Sequence, residues 1–345
     1  MPGWSLYRSS AIRPVTTFTA HKVTEHSILS ASCWILKMLT LDPVDFLILG
    51  AGWTSNFLIP QLKSSSITFA ATTTTGHDGT IPFKYEPSSS STSQYSKLPS
   101  AKTVLVAFPL KGEGQSKQIT SLYRQVHGDQ NNWIQLGSTG IFSASHWNDC
   151  SSPYNTENER AVAEDEMLEL NGCVLNLAGL YGGERDPKNW VTRVAKTKDE
   201  VKGKKGERQF PMFWSPVVVA DSRPEAAQLL TNLALHLIHG ADVARAIIAV
   251  HNSFTHSKRW LLTDLRVYDW WDLIQDWGAK ARARASDALG VERAEELQYE
   301  KWVGELMEEE GVKALPRPAE GLGRVLDSRA FWAKMGTWPR EGRVG

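Results

Sequence analysis

Short runs of apolar residues recur along the chain, and segments of mixed polarity separate them. Such runs predict buried strands. Strands that alternate with helices predict a parallel sheet covered on both faces, because each crossover helix packs back onto the sheet. The predicted strands span residues 44–49, 67–71, 103–108, 133–136, 173–177 and 259–263.

Amphipathic spacing predicts helices between and after these strands. Pro60 lies inside the first helix and should bend it, because proline has no backbone N–H to donate. The predicted helices cover residues 54–63, 157–170 and 224–250.

The last fifth or so of the chain differs in composition from the part before it. From Trp270 onward it is helical, charged and rich in tryptophan, and Trp270, Trp271 and Trp277 fall on one helical face. We interpret these indoles as packing of a C-terminal lobe rather than as a ligand stack. Two polar stretches, Ser88–Ser93 and Lys196–Arg208, predict solvated loops. The whole pattern predicts an α/β fold: a doubly wound parallel Rossmann sheet with a small, mainly helical C-terminal lobe.

Composition and charge exclude several classes of protein. Of the 345 residues, 41% are hydrophobic and 22% charged, as in globular proteins with a substantial core. The 38 basic and 38 acidic residues cancel, so the overall field attracts neither nucleic acid nor an anionic membrane. No stretch approaches the ~20 apolar residues that cross a bilayer. The three cysteines are widely spaced, and His251 and His256 have no partner set for a metal. We therefore expect small-molecule partners and no metal, and the oligomeric state stays open.

The first 43 residues form a leader ahead of the first strand. They are rich in hydroxyl groups and poor in acids, which is typical of an organellar transit peptide. A disordered leader, or an over-extended gene model whose true start is Met38, explains the same composition. We expect a cytoplasmic protein, or a mitochondrial one if residues 1–37 are a transit peptide.

The segment Gly50-Ala51-Gly52 follows the first strand directly and precedes the first helix. In a dinucleotide-binding turn the first glycine permits the tight bend and the second lets the backbone approach the pyrophosphate. Ser55 replaces the third glycine and is small enough to pack. We interpret the segment as an NAD(P) phosphate turn; the alternative is a purely structural turn.

The end of the second strand decides between NAD and NADP. An acid there would bind the ribose 2′-hydroxyl of NAD, but the residues from Thr72 to His77 include none before Asp78. Without a carboxylate, a 2′-phosphate meets no repulsion and hydroxyls such as that of Thr73 can donate to it. This absence favours NADP(H) over NAD(H), although no arginine is present to confirm it.

Six short motifs occur in an order that resembles a known family. They begin with Leu49–Thr54, Leu136–Phe142 and Ser152–Tyr154, and continue with Gly179–Gly182, Leu237–Ala244 and the pair Asp327–Arg329 and Gly336–Pro339. The chain resembles the atypical and extended short-chain dehydrogenase/reductases, the superfamily of NAD-dependent epimerases and dehydratases. More narrowly it is similar to a fungal branch of YeeZ-like proteins.

The resemblance implies a catalytic set. Ser138 or Thr139 would polarise the substrate oxygen, and Tyr154 would act as acid or base. Asn158 stands where the family has a lysine, which lowers the pKa of the tyrosine and holds the nicotinamide ribose. Asparagine can bind the ribose but supplies no charge, and Arg160 points about 200° away on an ideal helix. Tyr154 is therefore a weakened catalyst, a substrate hydrogen bonder, or a tyrosine with a purely structural hydroxyl.

The resemblance also implies binding residues. Tyr181 and Arg185 would contact the substrate, with Arg185 gripping an anionic group. His239 and Asp242 form a pair near the substrate cleft or, as we favour, a structural anchor. The residues implied to bind the cofactor are Gly50, Gly52, Trp53, Thr54, Ser55, Thr73, Phe108, Pro109 and Asn158.

Comparison with the family that the chain resembles divides the sequence into four parts. Residues 44–206 form the NAD(P)-binding domain after the 1–43 leader, and residues 235–345 complete the sheet and add the helical lobe. Residues 207–234 form an insertion, either a retained intron or a substrate lid. We expect an oxidoreductase or epimerase acting on a small carbonyl, sugar-like or secondary-metabolite substrate; the alternative is a non-catalytic dinucleotide-binding protein.

Overall fold

A computed structural model describes residues 41–189, 195–202, 234–286 and 296–344 of the chain. In chain order its strands are β1 (Val44–Leu49), β2 (Phe69–Thr73), β3 (Ile81–Pro82), β4 (Ala101–Val106), β5 (Asn132–Ser138), β6 (Trp147–Asn148), β7 (Cys173–Leu177), β8 (Gly179–Tyr181), β9 (Ala234–Leu235), β10 (Leu237–His239), β11 (Lys258–Leu262), β12 (Tyr268–Asp269) and β13 (Val325–Leu326). Its helices are α1 (Ser55–Ser64), α2 (Gln115–His127), α3 (Glu159–Glu169), α4 (Lys198–Lys202), α5 (Gly240–Asn252), α6 (Trp270–Ser286), α7 (Tyr299–Glu310) and α8 (Arg329–Met335).

Seven strands form the central sheet, in the order β3-β2-β1-β4-β5-β7-β11. Every neighbouring pair is parallel. The order reverses at β1, which pairs with β2 on one side and β4 on the other. The expected doubly wound parallel Rossmann sheet is confirmed, and its ligand crevice lies where the strand order reverses.

Alternation along β1 explains how helices cover both faces. Phe46 and Ile48 pack with α1, α5 and α8, whereas Leu47 and Leu49 pack with α2 and α3. All four side chains are fully buried. Successive residues of a strand point to opposite faces, so a continuous apolar run is what a sheet buried on both sides requires.

The C-terminal lobe has its own core around α6 and α7. Trp271 and Trp277 are buried in it and Trp270 packs against it, as the spacing predicted. The lobe also takes in α4, where Val201 is buried and its carbonyl accepts a hydrogen bond of 3.0 Å from the Trp271 indole. Residues 198–202 of the predicted solvated loop are thus helical, because Val201 adds to the lobe core while Lys198 bonds to Glu305 and Glu309 on α7.

The predicted helix over 224–250 is wrong in its described first half. Residues 234–235 and 237–239 are strands, and α5 begins only at Gly240. His239 ends the strand and caps the helix, since its Nδ1 accepts a hydrogen bond of 3.2 Å from the Ala241 amide. A side chain at residue 240 would collide with Phe57 of α1, so glycine is needed where the two helices meet.

Other elements also differ from the predictions, such as β4, which covers Ala101–Val106 rather than residues 103–108. Strand β2 starts at Phe69 rather than residue 67, because the Ile67 amide still donates to Leu62 at the exit of α1. Helix α2, buried through Ile119, Leu122 and Tyr123, was not predicted at all. Most of the predicted leader and residues 207–233 of the predicted insertion lie outside the described residues. In the part of the chain that the model covers, no helix is long and apolar enough to span a membrane.

Candidate functional site

The Gly50–Gly52 turn lies at the carboxyl end of β1, between the ends of β2 and β4. Gly50 has a φ of +89°, and a Cβ there would lie 2.8 Å from the Phe108 ring. The turn is fixed by Thr72 of β2, whose Oγ1 accepts from the Gly50 amide at 3.0 Å and whose carbonyl accepts from the Ala51 amide at 2.7 Å. Gly50 therefore owes its identity to backbone conformation and to close packing.

Gly52 has a different environment. Apart from its two chain neighbours, no atom of the described residues lies within 4 Å of a Cβ built on it, so this side of the turn faces open space. Helix α1 starts three residues later, and its N-cap residue Thr54 makes no side-chain cap bond. Open space beside a helix N-terminus fits the pyrophosphate of a dinucleotide. In the free protein the amides of Gly52, Ser55 and Asn56 donate to the carbonyls of Gly50, Gly52 and Trp53. Ser55 packs at the third glycine position, nine-tenths buried, with no hydrogen-bond partner for its Oγ among the described residues.

The loop after β2 is held by its own polar groups. Thr73 Oγ1 lies 2.7 Å from Thr80 Oγ1 and accepts from the Gly76 amide at 2.9 Å. The first acid after the strand, Asp78, is almost fully exposed, and His77 is also mostly exposed beside it. On the other side of the turn, Phe108 is half-buried, stacks on Tyr85 at 5.6 Å and is followed by the exposed Pro109.

Ser138 and Thr139 end β5 but point to different surroundings. Thr139 is fully buried, and its hydroxyl donates to the Leu177 carbonyl at 3.2 Å. Ser138 is half-buried, and its Oγ accepts from the Gly140 amide at 3.1 Å, which leaves the hydroxyl hydrogen as a donor. Of the two candidates, Ser138 has the geometry of a group that can contact a substrate oxygen.

Tyr154 lies in a loop before α3, and its hydroxyl donates to Asp165 at 2.8 Å. The Arg259 guanidinium lies 4.5 Å from the centre of its ring. Burial and the hydrogen bond to Asp165 raise the pKa of Tyr154 above its ordinary value, although Arg259 opposes the shift. A phenol with a raised pKa stays protonated at neutral pH and is a poor base.

Asn158 is the N-cap of α3. Its Oδ1 accepts from the Arg160 amide at 2.9 Å, the usual role of asparagine at a helix start. Tyr154 and Asn158 therefore do not lie one turn apart on a common helix. The Arg160 guanidinium turns toward β5 and donates to the Leu136 carbonyl at 3.1 Å.

A buried polar cluster behind Ser138 was not predicted from the sequence. Glu164, fully buried, accepts from Arg259, from Asn176 at 2.8 Å and from the Ser138 amide at 3.1 Å. Burial raises the pKa of Glu164 in spite of the opposing charge of Arg259. Gly137 is required beside it, because a Cβ there would lie 2.5 Å from Glu164 Oε1. The signal available in the sequence is Arg259 and Asn176 inside apolar strands, where an unpaired polar group would be costly.

The cluster connects two of the predicted catalytic residues. Asn176 donates to the Ser138 carbonyl at 2.9 Å, and Arg259 bridges Glu164 to Asp165, the acceptor of the Tyr154 hydroxyl. The structure thus brings Ser138 and Tyr154 into one network, but as members of a structural frame.

Of the two implied substrate residues, Arg185 lies beside the phosphate turn, whereas Tyr181 contacts His239 and the C-terminal segment. The Arg185 guanidinium is 4.3 Å from the centre of the Trp53 ring, directly after Gly52. The Tyr181 ring contacts His239 at 5.0 Å, and its hydroxyl donates to the Gly342 carbonyl at 2.9 Å. Asp242 accepts from the amides of Arg340 and Glu341, which is the anchoring role that we favoured. Among the described residues, no group of His, Cys, Asp and Glu can hold a metal ion.

The parallel sheet, with a phosphate turn where its strand order reverses, defines the chain as a Rossmann-fold protein. Among solved structures it is similar to vestitone reductase from alfalfa (Medicago sativa), with a TM-score of 0.53 and 13% identity over 87% of this chain and 94% of the reductase. A conserved protein of unknown function from Silicibacter pomeroyi gives a TM-score of 0.51 and 16% identity over 88% and 95% of the two chains. The dTDP-glucose 4,6-dehydratase of Bacillus anthracis, in complex with NAD, gives 0.49 and 11% over 86% and 92%. At these identities the likeness to the first two structures shows a shared fold. No family model and no curated protein matches the sequence.

Proposed function

We propose that the chain binds NAD(P) at the Gly50–Gly52 turn and acts as an oxidoreductase or epimerase on a small carbonyl, sugar-like or secondary-metabolite substrate. The observation that carries the proposal is the open space at Gly52, beside a turn that Thr72 and Phe108 hold in shape. A rigid turn whose second glycine faces no protein atom fits a ligand that approaches the backbone closely.

The chain supplies a place for the pyrophosphate and walls for the rest of the dinucleotide. Gly50, Gly52, Trp53, Thr54 and Ser55 would hold the phosphates, with Thr73, Phe108 and Pro109 around the adenosine half. A bound nicotinamide would supply hydride chemistry. Ser138 would donate its hydroxyl hydrogen to the substrate oxygen, while the Glu164 cluster fixes the strand end that carries it.

A second function is supported by a specific observation. The Tyr154 hydroxyl donates to Asp165 and Asn158 caps α3, so both positions of the family's acid–base pair have structural partners. This arrangement favours a dinucleotide-binding protein without catalysis of the usual kind. In either case the hydrogen bond from Tyr154 to Asp165 holds the loop that contains Tyr154 against α3.

Binding is tested with a substitution at Gly52 that fills the open space without disturbing the fold of the free protein. Gly52→Val should abolish the thermal stabilisation by NADP(H) and leave the unfolding midpoint of the free protein nearly unchanged, since no atom lies within 4 Å of a Cβ there. For the wild type, a ligand at ~100 times its Kd adds roughly 2.7 kcal/mol. Gly304→Val in α7, another glycine with open surroundings, is the matched control and should bind normally. Equal stabilisation of wild type and Gly52→Val would refute the turn as the site.

Catalysis is tested by turnover of a carbonyl panel with wild type, Ser138→Ala and Tyr154→Phe. We expect Ser138→Ala to lower kcat by about two to three orders of magnitude, the usual effect of losing one hydrogen bond to a developing charge, and Tyr154→Phe to change it little. Binding without turnover of any compound would favour the second function. A Tyr154→Phe enzyme that is far slower than Ser138→Ala would contradict the structural role of Tyr154.

Finer points remain proposals. NADP(H) over NAD(H) rests on the lack of an acid between Thr72 and His77 and on the exposure of Asp78, and a comparison of the two Kd values tests it. The Thr73 hydroxyl adds nothing to this preference, because Thr80 donates to the His77 carbonyl and Thr73 therefore donates to Thr80. Membership of the fungal YeeZ-like branch, the cytoplasmic or mitochondrial location and the four-part division of the chain rest on the sequence motifs and composition alone.

A further inference from the structure

A short turn after β8 carries an arginine to the phosphate turn. Gly182 and Arg185 form a tight bridge, with the Gly182 amide donating to the Arg185 carbonyl at 2.9 Å and the Arg185 amide donating back at 3.1 Å. Gly182 and Gly183 both have positive φ, +106° and +58°, and a Cβ on Gly182 would collide with His239. The backbone conformation of this turn therefore fixes the position of the Arg185 Cα atom.

The side chain of Arg185 ends on an aromatic platform. Its guanidinium lies 4.3 Å from the centre of the Trp53 ring. Trp53 packs edge-on against Phe57 at 4.9 Å, and Phe57 packs against His239 at 5.3 Å. Phe57 also fills the space beside Gly240. The platform is thus anchored in α1 and α5, and a planar guanidinium suits it better than an ammonium.

The charge of Arg185 is partly withdrawn from water. The residue is half-buried, and burial lowers the pKa of its guanidinium from the ordinary value. Trp53 follows Gly52 directly, so the guanidinium is stacked on the residue next to the phosphate turn.

We propose that Arg185 binds the pyrophosphate of the dinucleotide, held there by its stack on Trp53. This proposal rests on the proposed function and moves Arg185 from the substrate to the cofactor. The phosphates would then be bound from two sides. The backbone of the phosphate turn contacts them on one side, and the guanidinium of Arg185, in the turn after β8, contacts them on the other. A guanidinium can make two parallel hydrogen bonds to phosphate oxygens.

The test measures the Kd of ADP-ribose and of NADPH by titration calorimetry. ADP-ribose has the pyrophosphate but no nicotinamide, so it reports the phosphates without the reacting end. We expect Arg185→Gln to weaken both ligands by a similar factor, about 10- to 100-fold, the usual size for a hydrogen bond between charged groups. Arg185→Lys and Trp53→Leu should each lose an intermediate factor, because one keeps the charge and the other keeps the guanidinium.

The matched control is Arg329→Gln, an exposed arginine paired with Asp327 away from the turn, which should leave both Kd values unchanged. The thermal midpoint of free Arg185→Gln confirms that the variant is folded, and Arg185→Lys serves as the second variant if it is not. Wild-type affinity in both Arg185 variants would overturn this proposal and leave the proposed function standing. Failure of the wild type to bind either ligand would overturn the proposed function itself.

Discussion

The two glycines of the phosphate turn show how one residue type serves two purposes. Gly50 is needed for its positive φ and for its contact with Phe108, so any side chain there disturbs the protein itself. Gly52 has no steric need of its own in the free protein, and a side chain there would disturb only a ligand. Open surroundings alone do not identify a ligand site, since Gly304 has them too; at Gly52 they fit the proposed close approach of a pyrophosphate to the backbone.

The sequence pattern predicted the phosphate turn, but it did not predict the contacts that Arg185 and Glu164 make near the site. Gly50, Gly52 and the small Ser55 follow one another closely, so spacing alone reveals them. The stack of Arg185 on Trp53, and the contact of Arg259 with Glu164, join residues far apart in the sequence. Only the three-dimensional order of strands brings these pairs together, and no local pattern encodes it.

Burial shifts the pKa values of His236 and Asp264 in opposite directions, so the two groups affect stability in opposite ways in acidic solution. Burial, aided by Arg324, lowers the pKa of His236 to about 3, whereas burial raises the pKa of Asp264 to about 6 despite its bonds from Tyr268 and Arg266. Neutral His236 contributes stability above its unfolded pKa of 6.5, and this is lost as the pH falls toward 3. Protonated Asp264 contributes stability below its unfolded pKa of 3.8, and this is lost as the pH rises through 6.

Single variants should separate these two effects between about pH 4 and 6. Relative to wild type, the unfolding free energy of His236→Gln should fall with rising pH, by up to about 1.4 kcal/mol per pH unit. That of Asp264→Asn should rise with pH by a similar amount. Glutamine keeps an acceptor for the Leu326 amide that His236 Nε2 now binds. Urea unfolding at half-unit pH steps measures both, and slopes equal to the wild type in both variants would refute the shifted pKa values.

At the scale of elements, the predictions succeeded where one interaction dominates. Strand β1, the middle of β5 and most of β7 are largely apolar runs in a sheet buried on both faces, and burial explains why the pattern predicted them. Helix α2 was missed because its buried residues are outnumbered by polar ones, with Lys117, Arg124 and several glutamines on the exposed side. The helix predicted over 224–250 was misplaced because its apolar residues are continuous across two short strands and α5.

Helix α1 carries a proline in its interior. Pro60 lies at the middle of Ser55–Ser64, and its side chain is exposed, so it contributes little packing. Pro60→Ala should restore the missing backbone hydrogen bond to Asn56 and raise the unfolding free energy by about 1–3 kcal/mol, since the ~3 kcal/mol cost of an interior proline is offset by its restriction of the unfolded chain. The thermal midpoint should rise by several degrees. Pro87→Ala, in an exposed loop, is the control, and a destabilised Pro60→Ala would show that the bend is needed.

At the scale of the whole molecule, residues 340–344 connect the sheet domain to the helical lobe. The Arg340 and Glu341 amides donate to Asp242 of α5, and the Gly342 carbonyl accepts from Tyr181 of β8. On the lobe side the Val344 amide donates to the Tyr268 hydroxyl, and Arg343 pairs with Asp272 of α6. Most of these bonds use the backbone of the segment, so its position matters more than its side chains.

Deletion of residues 340–345 should therefore destabilise the protein by about 2–4 kcal/mol, because buried Asp242 loses two amide donors and the Tyr181 hydroxyl loses its acceptor. Since Tyr181 immediately precedes the turn that carries Arg185, the deletion should also weaken NADPH binding, though less than Arg185→Gln does. The matched control is the double variant Arg340→Ala, Glu341→Ala, which keeps both amides and should unfold at nearly the wild-type urea concentration. If the deletion and the double variant lose equal stability, the side chains rather than the backbone hold the segment; if neither loses any, the segment does not join the two parts at all.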